Sequence, residues 1–275
     1  MYGCLLPNQK TETSQVFHPV KMAEFHTLPL PKNEPEEWTV LAQRAVELTR
    51  SVRAAPLPSL EHLSRADTEH VYEPSDDTFL LVDALHHDVA LENTRIIVEL
   101  GCGTGVATVA MLKLLNSGHH QVHAYMTDIN PRALEMARRT AQANGIDSDR
   151  ITTCNCDLAS NLVTRLENQV DILIFNPPYV PTPNEEVGSI GIEASWAGGD
   201  RGRVVIDRSL SQIAQLLKRP SGVAYMIVVD DNEPHEIAAV MHERYRIKVV
   251  PFLRRRARNE FLTVLKMTFE TTTTE

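Results

Sequence analysis

The strongest constraint on the fold is the alternation of strand-like and helix-like segments from Arg95 onward. Short apolar runs, such as VDILIF beginning at Val170, alternate with segments whose apolar residues recur at helical spacing. A run that is apolar throughout is buried on both faces, which is typical of a central strand in a parallel sheet. The alternation therefore predicts an α/β fold, with a parallel sheet and helices on both of its faces.

Two further segments define the ends of predicted elements. One helix has Asn130 as its N-cap, Pro131 at its first position and Gly145 just after its end. The last two apolar segments, RIKVV and EFLTVLKM, predict an antiparallel hairpin at one edge of the sheet. We interpret the arginine cluster 254–258 between them as the solvated turn of this hairpin. The alternative is a nuclear localisation signal or an RNA-binding patch.

The N-terminal quarter of the chain differs from the rest. It holds many of the prolines, shows no strand-like alternation and contains one helix candidate, which begins near Glu34. We predict an N-terminal extension over residues 1–66 that is loose apart from this helix. A folded domain is predicted over residues 67–267 and a disordered tail over 268–275.

Composition and charge exclude several classes of protein. The formal net charge is −9, which argues against binding nucleic acid over the whole surface. No apolar run approaches the ~20 residues needed to span a membrane. Cys154 and Cys156 are one residue apart, which is not the spacing of a zinc site, and no metal site is predicted. The four cysteines indicate reduced thiols and a location in the cytoplasm or nucleus.

A glycine-rich loop follows the first strand of the predicted sheet. In VELGCGTGVA, the glycines Gly101, Gly103 and Gly105 stand between a strand and a helix. Glycines at such a turn allow backbone N–H groups to approach a ligand closely. The chain does not match the dinucleotide-binding pattern, which would need its third glycine where this chain has Val106. The alternative to a ligand-binding loop is a simple strand-to-helix turn.

Acidic residues end the next two strands. Asp128 lies in TDINP and Asp157 in NCDL, and both are expected at the rim where the parallel strands end. There Asp128 can accept hydrogen bonds from both hydroxyls of a ribose, and Asp157 can accept one from an adenine amino group. The alternatives are a helix cap for Asp128 and a solvated loop acid for Asp157. Together with the glycine loop, they predict a site for an adenosine-containing cofactor.

The fourth strand ends on the sequence Asn176-Pro177-Pro178-Tyr179. Neither proline has a backbone N–H, so this loop presents carbonyl oxygens and the Asn176 amide oxygen without competing donors. Such a site suits a planar NH₂ group that donates two hydrogen bonds, and Tyr179 can stack on that planar acceptor. The alternative is a rigid turn.

These motifs together resemble a known family. VELGCGTG, TDINP, NCDL and NPPY, in this order, resemble class I S-adenosylmethionine-dependent methyltransferases. VYEPSDDTFLLVDAL and NPPYVPTPNEEVGSIGIEASWAGGDRGRVVIDR further resemble the eukaryotic HemK-like release factor glutamine methyltransferases, over about Glu69 to Met267. The resemblance implies that residues 67–267 form a Rossmann-like methyltransferase domain. Its seven-stranded sheet would have the order 3-2-1-4-5-7-6, with the last strand antiparallel.

The resemblance also implies an activity and its residues. The family transfers a methyl group from S-adenosyl-L-methionine to the glutamine amide of the Gly-Gly-Gln motif in the class I translation release factor. By motif, Asn176, Pro177 and Tyr179 are the catalytic residues. The expected cofactor-binding residues are Thr78, Glu99, Gly101, Gly103, Gly105, Asp128, Asp157, Leu158 and Asn176.

The resemblance implies a partner besides the substrate, a small zinc-binding activator protein that forms a heterodimer with the enzyme. A membrane or nucleic-acid partner is not expected. Two alternatives stay open from the residues. One is methylation of another nitrogen, adenine N6 or a protein lysine, and the other is a non-catalytic cofactor-binding module.

Overall fold

The computed structural model describes residues 34–88, 93–115, 122–188, 191–258 and 260–270, so the first half of the predicted extension, residues 1–33, lies outside the described residues. None of the helices in these ranges is long and apolar enough to cross a membrane. The helices are α1 (Glu36–Ser51), α2 (Arg65–Thr68), α3 (Asp76–Asp88), α4 (Val106–Leu115), α5 (Pro131–Ala143), α6 (Val204–Leu216) and α7 (Pro234–Tyr245). The strands are β1 (Ile96–Leu100), β2 (His123–Asp128), β3 (Ile151–Asn155), β4 (Ile172–Phe175), β5 (Val180–Pro181), β6 (Ala197–Gly199), β7 (Val223–Val228), β8 (Ile247–Ala257) and β9 (Glu260–Phe269).

The central sheet has seven strands in the order β3-β2-β1-β4-β7-β9-β8. The first five are parallel, and β9 runs antiparallel to both β7 and β8. Strands β5 and β6 form a separate small pair. When only the seven strands of the large sheet are counted along the chain, the order is 3-2-1-4-5-7-6, and the predicted fold is confirmed.

Burial on both faces explains why these segments form strands. All four residues of β4 are buried, and they alternate between two apolar cores. Leu173 and Phe175 pack into the core that contains Leu210 of α6. Ile172 and Ile174 pack into the opposite core, which is covered mainly by α3 and α4. Successive side chains of β4 point to opposite faces of the sheet, and apolar residues cover both faces. This is expected for a sheet that lies between two layers of helices.

The N-terminal helix α1 lies against the outer edge of β8. The Oγ1 of Thr49 accepts a hydrogen bond of 2.8 Å from the backbone N–H of Arg254 in β8. Trp38 is only 8% exposed and belongs to the core that also contains Ile247 of β8. A helix that pairs and covers a strand edge protects it from pairing with other chains. The domain boundary at residue 66 stays a prediction, but α1 packs as part of the sheet domain.

Two boundaries near the C-terminus differ from the predictions. The arginines Arg254, Arg255 and Arg256 lie within β8 and not in a turn, because the hairpin turn comes after Ala257. Arg254 pairs with Asp230, and Arg255 contacts Asp83, so acidic neighbours compensate these charges. Strand β9 continues through Phe269, whose side chain is buried. The predicted start of the tail at residue 268 is therefore too early. Residues 271–275 lie outside the described residues.

The packing of α1 predicts a large effect of a single truncation. Trp38→Ala should lower the free energy of unfolding by about 3–5 kcal/mol, because it leaves a cavity in the core. Val40→Ala on the same helix is the matched control, since Val40 is 46% exposed, and should change it by less than about 0.5 kcal/mol. Urea unfolding measures both. Equal stability of the two variants would mean that α1 does not contribute to the core.

Candidate functional site

The parallel strands end at one rim of the sheet, where an open cavity lies. Eight of the residues predicted to bind a cofactor line this cavity. They are Thr78, Glu99, Gly101, Gly103, Asp128, Asp157, Leu158 and Asn176. They come from α3 and from the ends of β1, β2, β3 and β4, or from the loops that follow these strands. Residues far apart in the chain are thus brought together because parallel strands end on the same side.

Gly105, Pro177 and Tyr179 lie outside the lining within the described part of the chain. A Cβ atom on Gly105 would lie 2.8 Å from the Cβ of Ala137, so this glycine allows the loop to pack closely on α5. Pro177 is buried. The hydroxyl of Tyr179 donates a 3.2 Å hydrogen bond to Asp77, and its carbonyl accepts a 2.8 Å hydrogen bond from Asn232. Tyr179 is therefore anchored at both ends behind the cavity wall.

Asp128 organises the glycine loop. Its Oδ2 accepts a hydrogen bond of 2.9 Å from the N–H of Gly103, which has a left-handed φ of +51°. Its Oδ1 accepts one of 2.8 Å from the N–H of Asn130. Burial raises the pKa of the Asp128 carboxyl above its usual value. Each carboxylate oxygen has a second lone pair, so Asp128 can also accept the two hydroxyls of a ribose.

Glu99 is the most buried carboxyl group of the lining. It is 5% exposed, and its Oε2 accepts hydrogen bonds from the N–H and the hydroxyl of Thr108. Burial raises the pKa of the Glu99 carboxyl to about 7, and the nearby Asp128 adds to this effect. The site therefore holds a buried acid that ionises more readily when a cation binds beside it.

Asp157 is more exposed and forms an ion pair with Arg208 of α6. About half of the Asp157 side chain is exposed, so the pair contributes less than about 1 kcal/mol. With Glu99, Asp128 and Asp157 in the lining, acidic groups outnumber the arginine, and the cavity favours a positively charged ligand.

Asn176 has an unusual feature at the end of β4. Its Oδ1 is buried and has no hydrogen-bond partner within the described residues. A buried acceptor without a donor costs about 1–3 kcal/mol, and native proteins keep few of them. Because Asn176 lines the cavity, this oxygen is suited to accept a hydrogen bond from a ligand N–H group.

Several residues of the lining were not predicted from the sequence. His70, Val71 and Tyr72 come from the segment between α2 and α3, and Arg208 comes from α6. The carbonyl of His70 accepts a 2.8 Å hydrogen bond from Asn130, which holds that segment over the rim. The stretch VYEPSDDTF was the available signal for Val71 and Tyr72. No group of three or more metal-ligating side chains was found in the described ranges.

Comparison with known proteins agrees with this geometry. Residues 74–190 match the family described as the methyltransferase small domain. The human methyltransferase HEMK2 is 41% identical over 208 residues, which are 75% of this chain and 94% of HEMK2. The chain belongs to the HemK-like methyltransferase family.

Two further relatives of this HemK-like methyltransferase are matched over nearly their whole length. The catalytic subunit of the eRF1 methyltransferase from Schizosaccharomyces pombe, mtq2, is 35% identical over 222 residues, which are 76% of this chain and 94% of mtq2. A chain in the solved structure of the E. cuniculi Mtq2–Trm112 complex is 30% identical, with a TM-score of 0.53. The match covers 73% of this chain and 99% of that one. The methyltransferase core therefore spans nearly the whole length of its relatives.

The cofactor of this HemK-like methyltransferase is S-adenosyl-L-methionine, and the cavity fits it. The ligand carries a sulfonium and an ammonium charge, a ribose and an adenine. The acidic lining suits the charges, and the fixed oxygens of Asp128 suit the ribose hydroxyls. The half-exposed carboxylate of Asp157 suits the adenine amino group.

The raised pKa of Glu99 predicts a pH-dependent stability. The native protein without cofactor keeps the Glu99 proton up to about pH 7, whereas the unfolded chain releases it near the ordinary value of 4.5. Stability should therefore fall as the pH rises between these values, by up to roughly 3 kcal/mol.

Glu99→Gln should remove this part of the slope, because glutamine does not ionise. Urea unfolding of both proteins at about pH 5 and about pH 7.5 measures the difference. Parallel pH profiles for the two proteins would contradict the raised pKa.

Proposed function

We propose that the chain methylates the side-chain amide nitrogen of a glutamine in a class I translation release factor. The observation that carries this proposal is the buried, unpartnered Oδ1 of Asn176 in the cofactor cavity. An amide NH₂ group donates two hydrogen bonds and is planar, which matches an acceptor at the end of a proline-rich loop. The S. pombe and E. cuniculi relatives, which are described as acting on eRF1, support the same class of substrate.

Positioning supplies most of the chemistry in this proposal. S-adenosyl-L-methionine provides a methyl group on a positively charged sulfur. Asn176 accepts one N–H of the substrate amide through Oδ1. The carbonyl of Pro177, which lies just outside the cavity lining in the protein without ligands, accepts the other when the substrate binds. Holding both hydrogens localises the nitrogen lone pair and aims it at the methyl group, and well-oriented reactions gain roughly 7–11 kcal/mol. As the nitrogen gains the methyl group, the methyl–sulfur bond breaks and leaves a neutral thioether, and the nitrogen releases one proton to solvent.

The remaining predicted residues have binding roles in this proposal. Asp128 accepts the ribose hydroxyls, and Asp157 accepts the adenine amino group beside Leu158. Thr78 and Glu99 lie toward the methionine end, where Glu99 faces a positive charge. The backbone of Gly101 and Gly103 approaches the cofactor, whereas Gly105 keeps the loop packed on α5.

We further propose that a small zinc-binding activator protein binds this chain as a heterodimer partner. The solved complex of the relative Mtq2 with Trm112 supports a small partner of this kind. The two ends of the sheet differ, because α1 covers β8 whereas the outer edge of β3 pairs with no strand in the described part of the chain. An uncovered strand edge favours association with another chain. We place the activator at β3, and the complex in the cytoplasm, where release factors act.

The substrate proposal is tested by mass spectrometry of candidate acceptors after incubation with the enzyme and cofactor. The acceptors are the release factor, its variant with glutamine replaced by alanine in the Gly-Gly-Gln motif, a lysine-containing histone peptide and an adenine oligonucleotide. Each is incubated with and without the co-expressed activator. We expect a mass gain of one methyl group only on the release factor with its native Gly-Gly-Gln motif. The yield of methylated release factor should be higher with the activator. Methylation of the peptide or oligonucleotide instead would transfer the function to the lysine or adenine alternative.

The role of Asn176 predicts different effects of two substitutions. Asn176→Ala leaves a substrate N–H unpaired, and should lower kcat by a factor that corresponds to about 1–3 kcal/mol. Asn176→Asp keeps an acceptor of nearly the same shape and should retain more activity than Asn176→Ala. Calorimetry should find little change in cofactor affinity, since other strand ends make those contacts. Near-wild-type kcat in both variants would reduce this motif to a rigid turn.

A further inference from the structure

Asp77 is a buried carboxyl group at the start of α3 that the proposed chemistry does not use. It is 4% exposed, and its hydrogen-bond donors among the described residues are two tyrosines and a threonine. Its Oδ2 accepts from the hydroxyls of Tyr72 at 3.0 Å and Tyr179 at 3.2 Å. Its Oδ1 accepts from the N–H of Thr78 at 2.6 Å and from its hydroxyl at 3.2 Å. All four donors are uncharged groups.

These donors come from two different parts of the site. Tyr72 and Thr78 line the cofactor cavity. Tyr179 lies three residues after Asn176, in the loop that presents the unpartnered Oδ1. Asp77 itself lies behind the cavity wall and not in its lining within the described residues. One carboxyl group therefore connects the wall that holds the cofactor with the loop that receives the acceptor amide.

A second hydrogen-bonding residue, Asn232, also fixes the loop at Tyr179. Asn232 is fully buried and donates its Nδ2 to the carbonyls of Tyr179 and Arg201, at 2.8 and 2.9 Å. That contact fixes the backbone of Tyr179, whereas Asp77 fixes the far end of its side chain. Burial and the nearby Asp77 raise the pKa values of the Tyr72 and Tyr179 hydroxyls well above their usual range. Both hydroxyls therefore keep their protons and remain donors at neutral pH.

We propose that Asp77 is a positioning residue that couples the two halves of the site. Through Tyr72 and Thr78 it holds the cofactor wall, and through Tyr179 it holds Asn176 at the distance that methyl transfer requires. This inference rests on the proposed function for its catalytic half. Its cofactor half depends only on the binding of S-adenosyl-L-methionine.

The chain contains a matched control for a purely structural bond. The hydroxyl of Tyr225 in β7 donates a 2.8 Å hydrogen bond to Asp88 at the end of α3. Tyr225 is 1% exposed, and neither residue belongs to the cavity lining in the described ranges. Tyr225→Phe therefore removes the same kind of bond from the same helix, away from the site. It measures what the loss of a buried hydroxyl does to stability alone.

The experiment compares four variants of the full chain, co-expressed with the activator. They are Tyr179→Phe, Tyr72→Phe, Asp77→Asn and the control Tyr225→Phe. Calorimetry measures the Kd for S-adenosyl-L-methionine, steady-state kinetics measure kcat and KM for the release factor, and thermal unfolding measures Tm. Each substitution to phenylalanine keeps the ring and removes only the hydroxyl, which preserves the packing.

The proposal predicts a different result for each variant. Tyr179→Phe should lower kcat about tenfold at saturating cofactor and change the cofactor Kd less than twofold. Tyr72→Phe should raise the cofactor Kd about fivefold. Asp77→Asn should do both, because a side-chain amide has only one acceptor oxygen for these donors. Tyr225→Phe should lower Tm as much as the other two phenylalanine variants, with wild-type kcat and Kd.

Two results would overturn the proposal. One is a cofactor Kd for Tyr72→Phe and Asp77→Asn equal to that of the Tyr225→Phe control. The other is a Tyr179→Phe variant with wild-type kcat on a release factor that the wild-type enzyme methylates. If the wild-type enzyme does not methylate the release factor, the proposed substrate is wrong. The comparison of Kd values still tests Asp77 in that case.

Discussion

The site depends on the parallel pairing of β1 with its two neighbours. Glu99 in β1 lies beside Met126 of β2 and Ile174 of β4, so all three strands end within a few residues at the same rim. Their next residues then supply the glycine loop, Asp128 and Asn176 to one cavity. A shift of one residue in any pairing would turn these side chains to the opposite face of the sheet. The two buried apolar cores that set this register are therefore the physical basis of the site.

The chain tolerates unfavourable local arrangements where the ligands are expected to bind. The Oδ1 of Asn176 is buried without a donor, and Glu99 is buried with a raised pKa. Each arrangement disfavours the folded protein without ligands, the first by about 1–3 kcal/mol. A substrate N–H or a bound cation removes the penalty when it arrives. The groups that destabilise the free protein are thus the same groups that gain most from binding.

The sequence was informative where local chemistry determines structure. The apolar runs predicted the strands, the cap at Asn130 predicted the start of α5, and the polar residues after the strands predicted the rim. The sequence did not predict the features that depend on contacts between residues distant in the chain. The side of β8 that α1 covers, the strand conformation of Arg254 and the ion pair of Arg208 with Asp157 depend on residues distant in the chain. Tyr179 is a similar case, because its hydroxyl partner Asp77 lies 102 residues earlier.

The negative charge of the cavity affects the binding of the methyl donor and of the product differently. Glu99, Asp128 and Asp157 line it, whereas Arg208 is already paired with Asp157. The methyl donor carries a positive sulfur, and the product that remains after transfer has lost that charge. An acidic cavity therefore stabilises the donor more than the product, and the low dielectric around Glu99 strengthens this difference. In the binding mode that we propose, ionisation of Glu99 is favoured more by the donor, with its sulfonium and ammonium charges, than by the product, which keeps only the ammonium charge. In this proposal, the same buried carboxyl that weakens the free fold favours the donor over the product.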